Sequence, residues 1–224
     1  MPSRLRPTAS VAADAILVGD PGRALLLAQE LLEQPKMSNH ARGLWGYSGK
    51  TPRGRELTIQ ATGMGGPSAA IVLADLAKLG VRRAVRVGTC AGADPETRPN
   101  ELLLVETAVA TGGSAASFDL ATGAAVPPDP VLLERLRQEL GGEARAARVA
   151  SLDALRPSAA SVPAGAAATD MQTVALLARG RELGVAAAAV LVVVESASGE
   201  ASTEDRVEPV VKRAGRAAAA ILST

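Results

Sequence analysis

Thr58–Gly92, TIQATGMGGPSAAIVLADLAKLGVRRAVRVGTCAG, is the stretch whose reading decides the fold. It reads as a strand, a glycine-rich turn, a helix, a second strand and a polar segment just past that strand's end. The turn, Gly63-Met64-Gly65-Gly66-Pro67-Ser68, has three glycines that let backbone approach a ligand, and Ser68 is placed to cap the helix. Ile71, Val72, Leu76 and Leu79 recur at three- and four-residue spacing, and Gly80 can end the helix. The strand Ala84–Cys90 then carries a charged side chain, Arg86, among apolar residues. An arginine in that position needs an anion, and the Thr89 hydroxyl suits the same anion. The expectation is an α/β domain with a small-molecule site at its strand ends.

Two common phosphate loops are excluded. Gly63–Ser68 is not followed by the Gly-Lys-Ser/Thr of a P-loop, and it lacks the spacing of a dinucleotide-binding GxGxxG with a later acidic strand end. With 224 residues the chain reads as one domain, 1–224, long enough to bury a core. Its 24 basic and 23 acidic residues nearly cancel, which argues against a nucleic-acid surface. Trp45, Tyr47 and Phe118 are the whole aromatic set, too few for a base-stacking platform. The longest apolar run, Val185–Val194, is too short to span a membrane and reads as a buried strand. One cysteine excludes an internal disulfide and fits a reducing compartment; together with the absence of an evident signal peptide it leads to the expectation of a cytoplasmic protein.

Working outward, Ala15–Val18 reads as a strand that ends at Gly19-Asp20-Pro21-Gly22-Arg23, with a helix over Ala24–Leu32. N–H groups at Gly19 or Gly22 and the Arg23 guanidinium could share a phosphate or sulfate; a plain turn with a solvated arginine reads as well. Lys50–Arg55 reads as a hairpin-like turn before the strand Leu57–Ile59. Further along come a strand over Glu101–Val109, a flexible loop Gly112–Ser117, a helix Val131–Leu140 and a strand Ala144–Ser151. Asp153–Ala168 is the least regular part and reads as a lid or loop. A helix Thr173–Leu183, the strand Val185–Val194 and a helix Val207–Leu222 complete a curved, helix-flanked sheet. His40 is the only histidine, which gives a zinc or iron site little support, and Cys90 reads as a packed thiol.

Four motifs in order, Gly19-Asp20-Pro21-Gly22-Arg23, His40-Ala41-Arg42-Gly43, Thr62–Ser68 and Arg86-Val87-Gly88-Thr89-Cys90, together resemble the nucleoside phosphorylase family that includes hexameric purine nucleoside phosphorylases and uridine phosphorylases. The resemblance implies a single-domain α/β fold with a distorted, barrel-like mixed sheet flanked by helices. It implies a homo-oligomer, a dimer or a trimer of dimers, in which a neighbouring subunit completes each site. It further implies that Gly19, Arg23, Arg86 and Thr89, with Arg42 from the partner, bind inorganic phosphate as co-substrate, and that no metal or organic cofactor takes part. Several arginines suit that task, because phosphate is strongly hydrated and must be held dry and aligned.

The second half departs from the family pattern. Where relatives have Glu-Met-Glu at the ribose, this chain has Asp170-Met171-Gln172. Met171 and Gln172 are the implied ribose contacts, although Gln172 lacks a carboxylate's acceptor strength and Asp170 can simply cap the next helix. Glu195 stands where purine-specific members have an aspartate that protonates the base, with a strand-end salt bridge as its plain alternative. The resulting expectation is transfer of a pentosyl group from a nucleoside, with purine favoured, to phosphate, with Glu195 and Arg86 catalytic. A hydrolase of a modified nucleoside and a non-catalytic binding or assembly homologue are the alternatives.

Overall fold

The computed structural model describes residues 3–154 and 162–223. From the N-terminus, β1 (Asp14–Val18) leads into α1 (Pro21–Leu31), then β2 (Glu33–Asn39), β3 (Gly46–Lys50) and β4 (Glu56–Ala61). Helix α2 (Gly66–Lys78) carries the chain to β5 (Arg83–Gly92) and β6 (Leu102–Ala110). The second half supplies β7 (Ala125–Val126), α3 (Pro130–Leu140), β8 (Ala144–Ser151) and β9 (Ala168–Asp170). It ends with α4 (Thr173–Leu183), β10 (Ala186–Glu195) and α5 (Glu204–Leu222).

β5 is the hub of the sheet. It runs parallel to β1 on one side and to β10 on the other. From β10 the sheet continues to β6, β8 and β9, and β9 returns antiparallel to β5 through Ala91↔Thr169. These five strands therefore close on themselves. β4, β3 and β2 extend outward from β1 as a wing, β4 parallel and the other two antiparallel. This is the mixed, barrel-like sheet flanked by helices that was expected.

Strand alternation sorts the apolar residues into two cores. Ile16, Val18, Val85, Val87, Val190 and Val192 face α1, α3 and α5. Ala15, Leu17, Ala84, Cys90, Leu191 and Val193 face α2 and α4. At the start of the parallel strands Arg83 binds Asp14 through Nε (2.7 Å) and Nη2 (2.8 Å), and Nη2 also donates to the Leu222 carbonyl (2.8 Å). A cation thus meets the C-terminal end of α5, where the helix dipole favours it.

Several local expectations are corrected. In α2 the buried face is Val72, Leu73 and Leu76, whereas Ile71 (44%) and Leu79 (37%) are exposed. Ser68 does not cap the helix: Gly65 is the N-cap, and the Ser68 hydroxyl donates to the Thr62 carbonyl (2.6 Å). Gly80, at φ 107°, does follow the helix end as expected. β2 and β3 were not foreseen as strands. β2 is an edge strand of sequence EQPKMSN with mostly exposed residues, and Pro35 is tolerated there because one side of the strand carries no ladder. The flexible loop expected over Gly112–Ser117 is instead a 3-10 turn, Gly113–Phe118, whose Ser114 donates from its backbone N–H (2.6 Å) and hydroxyl (2.7 Å) to Asp153. The expected lid falls partly on residues 155–161, outside the described residues; Ala168 already belongs to β9.

Close packing of α4 on the sheet sets one prediction. A side chain at Gly180 would meet the Val185 carbonyl oxygen at 2.9 Å and the Ala187 Cβ at 3.1 Å. Backbone cannot yield as a side-chain tip can, so Gly180→Val is expected to lower stability by about 1–3 kcal/mol with an unchanged urea m-value. An unchanged denaturation midpoint would contradict this packing.

Candidate functional site at the strand ends

β1, β4, β5 and β10 point the same way, and their C-terminal ends meet the starts of α1, α2 and α5, while α4 starts directly after β9. Free N–H groups and helix dipoles at that edge favour negative charge. Every residue expected at the site apart from Arg42 lies on or next to these segments.

Arg86 is only 4% exposed, and its guanidinium lies over Gly88 on the α4 side of the sheet. Nη2 pairs with Asp170 Oδ2 at 3.0 Å, Nη1 donates to Gln172 Oε1 at 2.7 Å, and Nε donates to Thr173 Oγ1 at 3.2 Å. The anion that a buried arginine requires is therefore supplied by the chain itself. Asp170 also accepts from the Thr173 N–H (3.0 Å), the Thr173 hydroxyl (2.6 Å) and the Ser151 hydroxyl (2.5 Å). The N-cap of α4 is Gln172, without a side-chain cap bond; Asp170, two residues earlier, satisfies the first helical N–H from outside the cap position expected of it.

Gln172, expected at the ribose, is 3% exposed and heavily engaged. Its Oε1 accepts from Arg86 and from the Thr62 hydroxyl (3.1 Å), and its Nε2 donates to the carbonyls of Gly63 (2.6 Å) and Gly65 (3.4 Å). An amide has two donors and two acceptor sites; three are taken, and the fourth shares the single Thr62 proton with the Val18 carbonyl (2.9 Å). Gly19 lies against this group: a Cβ there would come within 3.5 Å of the Gly63 carbonyl oxygen and 3.9 Å of Gln172 Oε1.

Thr89 leaves β5 on the face opposite Arg86, toward α1 and α5, because residues three apart in a strand point opposite ways. It is half-buried and has no side-chain hydrogen bond among the described residues. Arg23 sits in the first turn of α1, on that same side of the sheet. Its side chain is 21% exposed, and its Nη2 lies 3.5 Å from both carboxylate oxygens of Glu204 in the first turn of α5. Asp20 caps α1 by accepting from the Arg23 N–H at 2.9 Å.

Arg42 stands apart. It occupies an exposed 3-10 turn, Ala41–Gly43, in a left-handed conformation (φ 62°, ψ 20°), and has no side-chain partner among the described residues. Met171 is half-buried between Asp170 and Gln172. Glu195 is half-buried at a bulge ending β10, opposite Ala91, and its carboxylate has no partner among the described residues. His40 is exposed. Among the described residues no group of three or more His, Cys, Asp or Glu side chains could hold a metal ion. None of the described helices is long and apolar enough to cross a membrane.

Sequence reasoning missed Asp170 as the partner of Arg86, and Thr173, Ser151 and Glu204 altogether. Only the opposite facing of Arg86 and Thr89 carried a readable signal, through their odd separation. The others depend on how β8, β9 and α5 come back to the strand ends.

The geometry makes two predictions. Asp170→Ala leaves a buried guanidinium without its counter-charge, and is expected to cost about 3–5 kcal/mol in chemical denaturation; a loss below about 1 kcal/mol would contradict the pairing. Burial, reinforced by the Asp170 charge, pushes the Cys90 thiol well above its ordinary range. The native protein should therefore resist a disulfide reagent at neutral pH and react with one thiol equivalent on unfolding. Rapid labelling of the folded chain would contradict this placement.

Comparison with known proteins agrees with this architecture. The family described as the Phosphorylase superfamily matches residues 14–224. A DeoD-type purine nucleoside phosphorylase of Oceanobacillus iheyensis is 40% identical over 98 residues, 43% of this chain and 41% of that protein. One from Clostridium beijerinckii is 36% identical over 103 residues, 46% of this chain and 43% of that protein. The chain thus matches somewhat under half the length of these relatives. Among solved structures, a Toxoplasma gondii purine nucleoside phosphorylase in complex with immucillin-H superimposes with TM-score 0.82 at 21% identity, covering 95% of this chain and 92% of that one. A Vibrio fischeri uridine phosphorylase does so with TM-score 0.81 at 22% identity, covering 95% and 90%. The last two show the fold alone, whereas the family match runs through every element from β1 to α5: the chain belongs to the Phosphorylase superfamily.

Proposed function

We propose that the protein is a nucleoside phosphorylase that transfers a pentosyl group from a nucleoside, with purine favoured, to inorganic phosphate. The observation that carries this reading is Arg23, half-buried at the start of α1 beside Gly19 and already holding a carboxylate. An anion is accommodated there, on the side of the sheet to which Thr89 points. Phosphate would be held by Arg23, Thr89 and the Gly19 backbone. Arg86, whose charge Asp170 neutralises on the opposite side of the sheet, would hold the walls of the site rather than meet the phosphate. Arg42, exposed and turned outward, would serve the site of a partner copy in a homo-oligomer.

In the transfer, the bond from C1′ to the base nitrogen breaks as a bond from C1′ to a phosphate oxygen forms. Positive charge develops on the sugar and is stabilised by the adjacent phosphate. Electrons of the broken bond pass to the base, where Glu195, with no partner among the described residues, is the group available to hydrogen-bond the ring or deliver a proton. Met171 would pack against the sugar. Gln172 would serve it indirectly, by fixing Gly63 and Arg86 rather than by gripping hydroxyls, since most of its hydrogen-bonding capacity is spent. Phosphate is a co-substrate, and no metal or organic cofactor enters this scheme.

A second reading, a homologue that binds ligand without turnover, is favoured by that spent capacity together with the internal neutralisation of Arg86. A nucleoside panel assayed with and without phosphate separates the readings. Phosphorolysis predicts base release that requires phosphate and yields a sugar 1-phosphate. Arg23→Ala should raise the KM for phosphate about 10- to 100-fold, the loss of a hydrogen bond between charged groups. Base release at full rate without phosphate would point to hydrolysis, and binding without release to the second reading.

A further inference from the structure

We infer that Glu204 is an internal competitor of the anionic substrate: its carboxylate occupies the anion position at Arg23 in the free protein, and phosphate must displace it. This rests on the proposed phosphate role of Arg23. Glu204 opens α5, and both of its carboxylate oxygens lie 3.5 Å from Arg23 Nη2, so the guanidinium is shared between them rather than bonded firmly to one. The carboxylate side chain is 68% exposed and Arg23 is 21% exposed, so the contact can open without burying or uncovering a core.

The backbone delivers Glu204 to this place by a tightly tied connection. After β10, Ser196 receives a hydrogen bond from the Gly199 N–H (3.0 Å) and donates its own N–H to Glu200 (2.8 Å). Ser202 then donates its N–H to the Val194 carbonyl (2.8 Å) and its hydroxyl to Asn100 (2.6 Å). The start of α5 is thereby fixed, and only the Glu204 side chain needs to swing away. Thr203, the N-cap, makes no side-chain cap bond, so the α5 N-terminus retains N–H groups toward which an anionic side chain at its first turn is drawn. Asp205 follows in the same turn with no ion-pair partner among the described residues.

Magnitude decides what kind of device this is. An exposed, imperfectly aligned ion pair is weak, so its removal should change phosphate affinity by about twofold to fivefold, not by orders of magnitude. Glu204 therefore sets the phosphate concentration at which the site fills; it does not shut the site.

The test is phosphate binding to the full-length protein by calorimetry at fixed low ionic strength, which needs no turnover. Glu204→Gln should tighten inorganic phosphate about twofold to fivefold, while Asp205→Asn, which removes the same charge one residue on, should leave affinity within error. Arg23→Ala should weaken phosphate in both the wild-type and the Glu204→Gln background, and in the Arg23→Ala background Glu204→Gln should give no further gain. Equal tightening by Glu204→Gln and Asp205→Asn would show a general field effect and overturn the proposal. So would no change from Glu204→Gln while Arg23→Ala still weakens binding. Unchanged binding in Arg23→Ala would overturn the phosphate assignment itself, and the proposal with it.

Discussion

A guanidinium buried in the middle of a sheet is the constraint on which the strand-end architecture depends. Arg86 is carried on the hub strand, where an unpaired charge would cost several kcal/mol, so its counter-charge must arrive from elsewhere in the chain. Asp170 brings it on the last residue of β9, the strand that closes the five-stranded circuit. The same carboxylate accepts from the first N–H of α4, ties down Ser151 at the end of β8 and accepts from the Thr173 hydroxyl. Gln172 then passes the connection to the turn between β4 and α2 through Gly63. One ion pair with its hydrogen bonds thus joins β4, β5, β8, β9 and α4, and a satisfied buried network of this kind leaves its members little freedom to rearrange.

That economy has a chemical consequence. With Arg86 neutralised from within, the exchangeable cation at this edge is Arg23 on the opposite side of the sheet, whose partner Glu204 is largely exposed. The contact between Arg23 and Glu204 is of a different kind from that between Arg86 and Asp170: long, exposed and shared between two oxygens rather than short and buried. A binding group has to be able to exchange its partner, and a framework group must not. In the proposed function these two duties fall to two arginines that the sequence presents as equivalent. In the phosphorolytic reading, the exchangeable arginine meets the co-substrate and the fixed one holds the walls.

Much of the fold was legible because the central stretch follows simple rules. Short apolar runs marked β1, β5, β6, β8 and β10, and glycine or proline punctuation placed α3 and α4 nearly to the residue. β2 was hidden because an exposed edge strand with Pro35 and the charged Glu33 and Lys36 carries no alternating apolar pattern. Ile71 and Leu79 misled because their spacing is helical but they sit at the border of the α2 stripe that packs on the sheet. The candidate site was legible in its location, at the ends of parallel strands, and less so in its pairings. Arg86 and Thr89 were grouped on one anion, though their odd separation on a strand already put them on opposite faces. That Asp170 rather than a ligand answers Arg86 could not be read locally, since 84 residues separate the two. The largely spent hydrogen-bonding capacity of Gln172 likewise follows only from where the Gly63 turn comes to rest.

The central claim is this division of labour between a fixed and an exchangeable arginine. A crystal structure of the protein grown with saturating inorganic phosphate tests it most directly. The account predicts phosphate density contacting Arg23 and Thr89, Glu204 turned away, and the pair of Arg86 and Asp170 still close to its present 3.0 Å. Phosphate seated on Arg86 with the Asp170 pair broken, and Arg23 still holding Glu204, would contradict it.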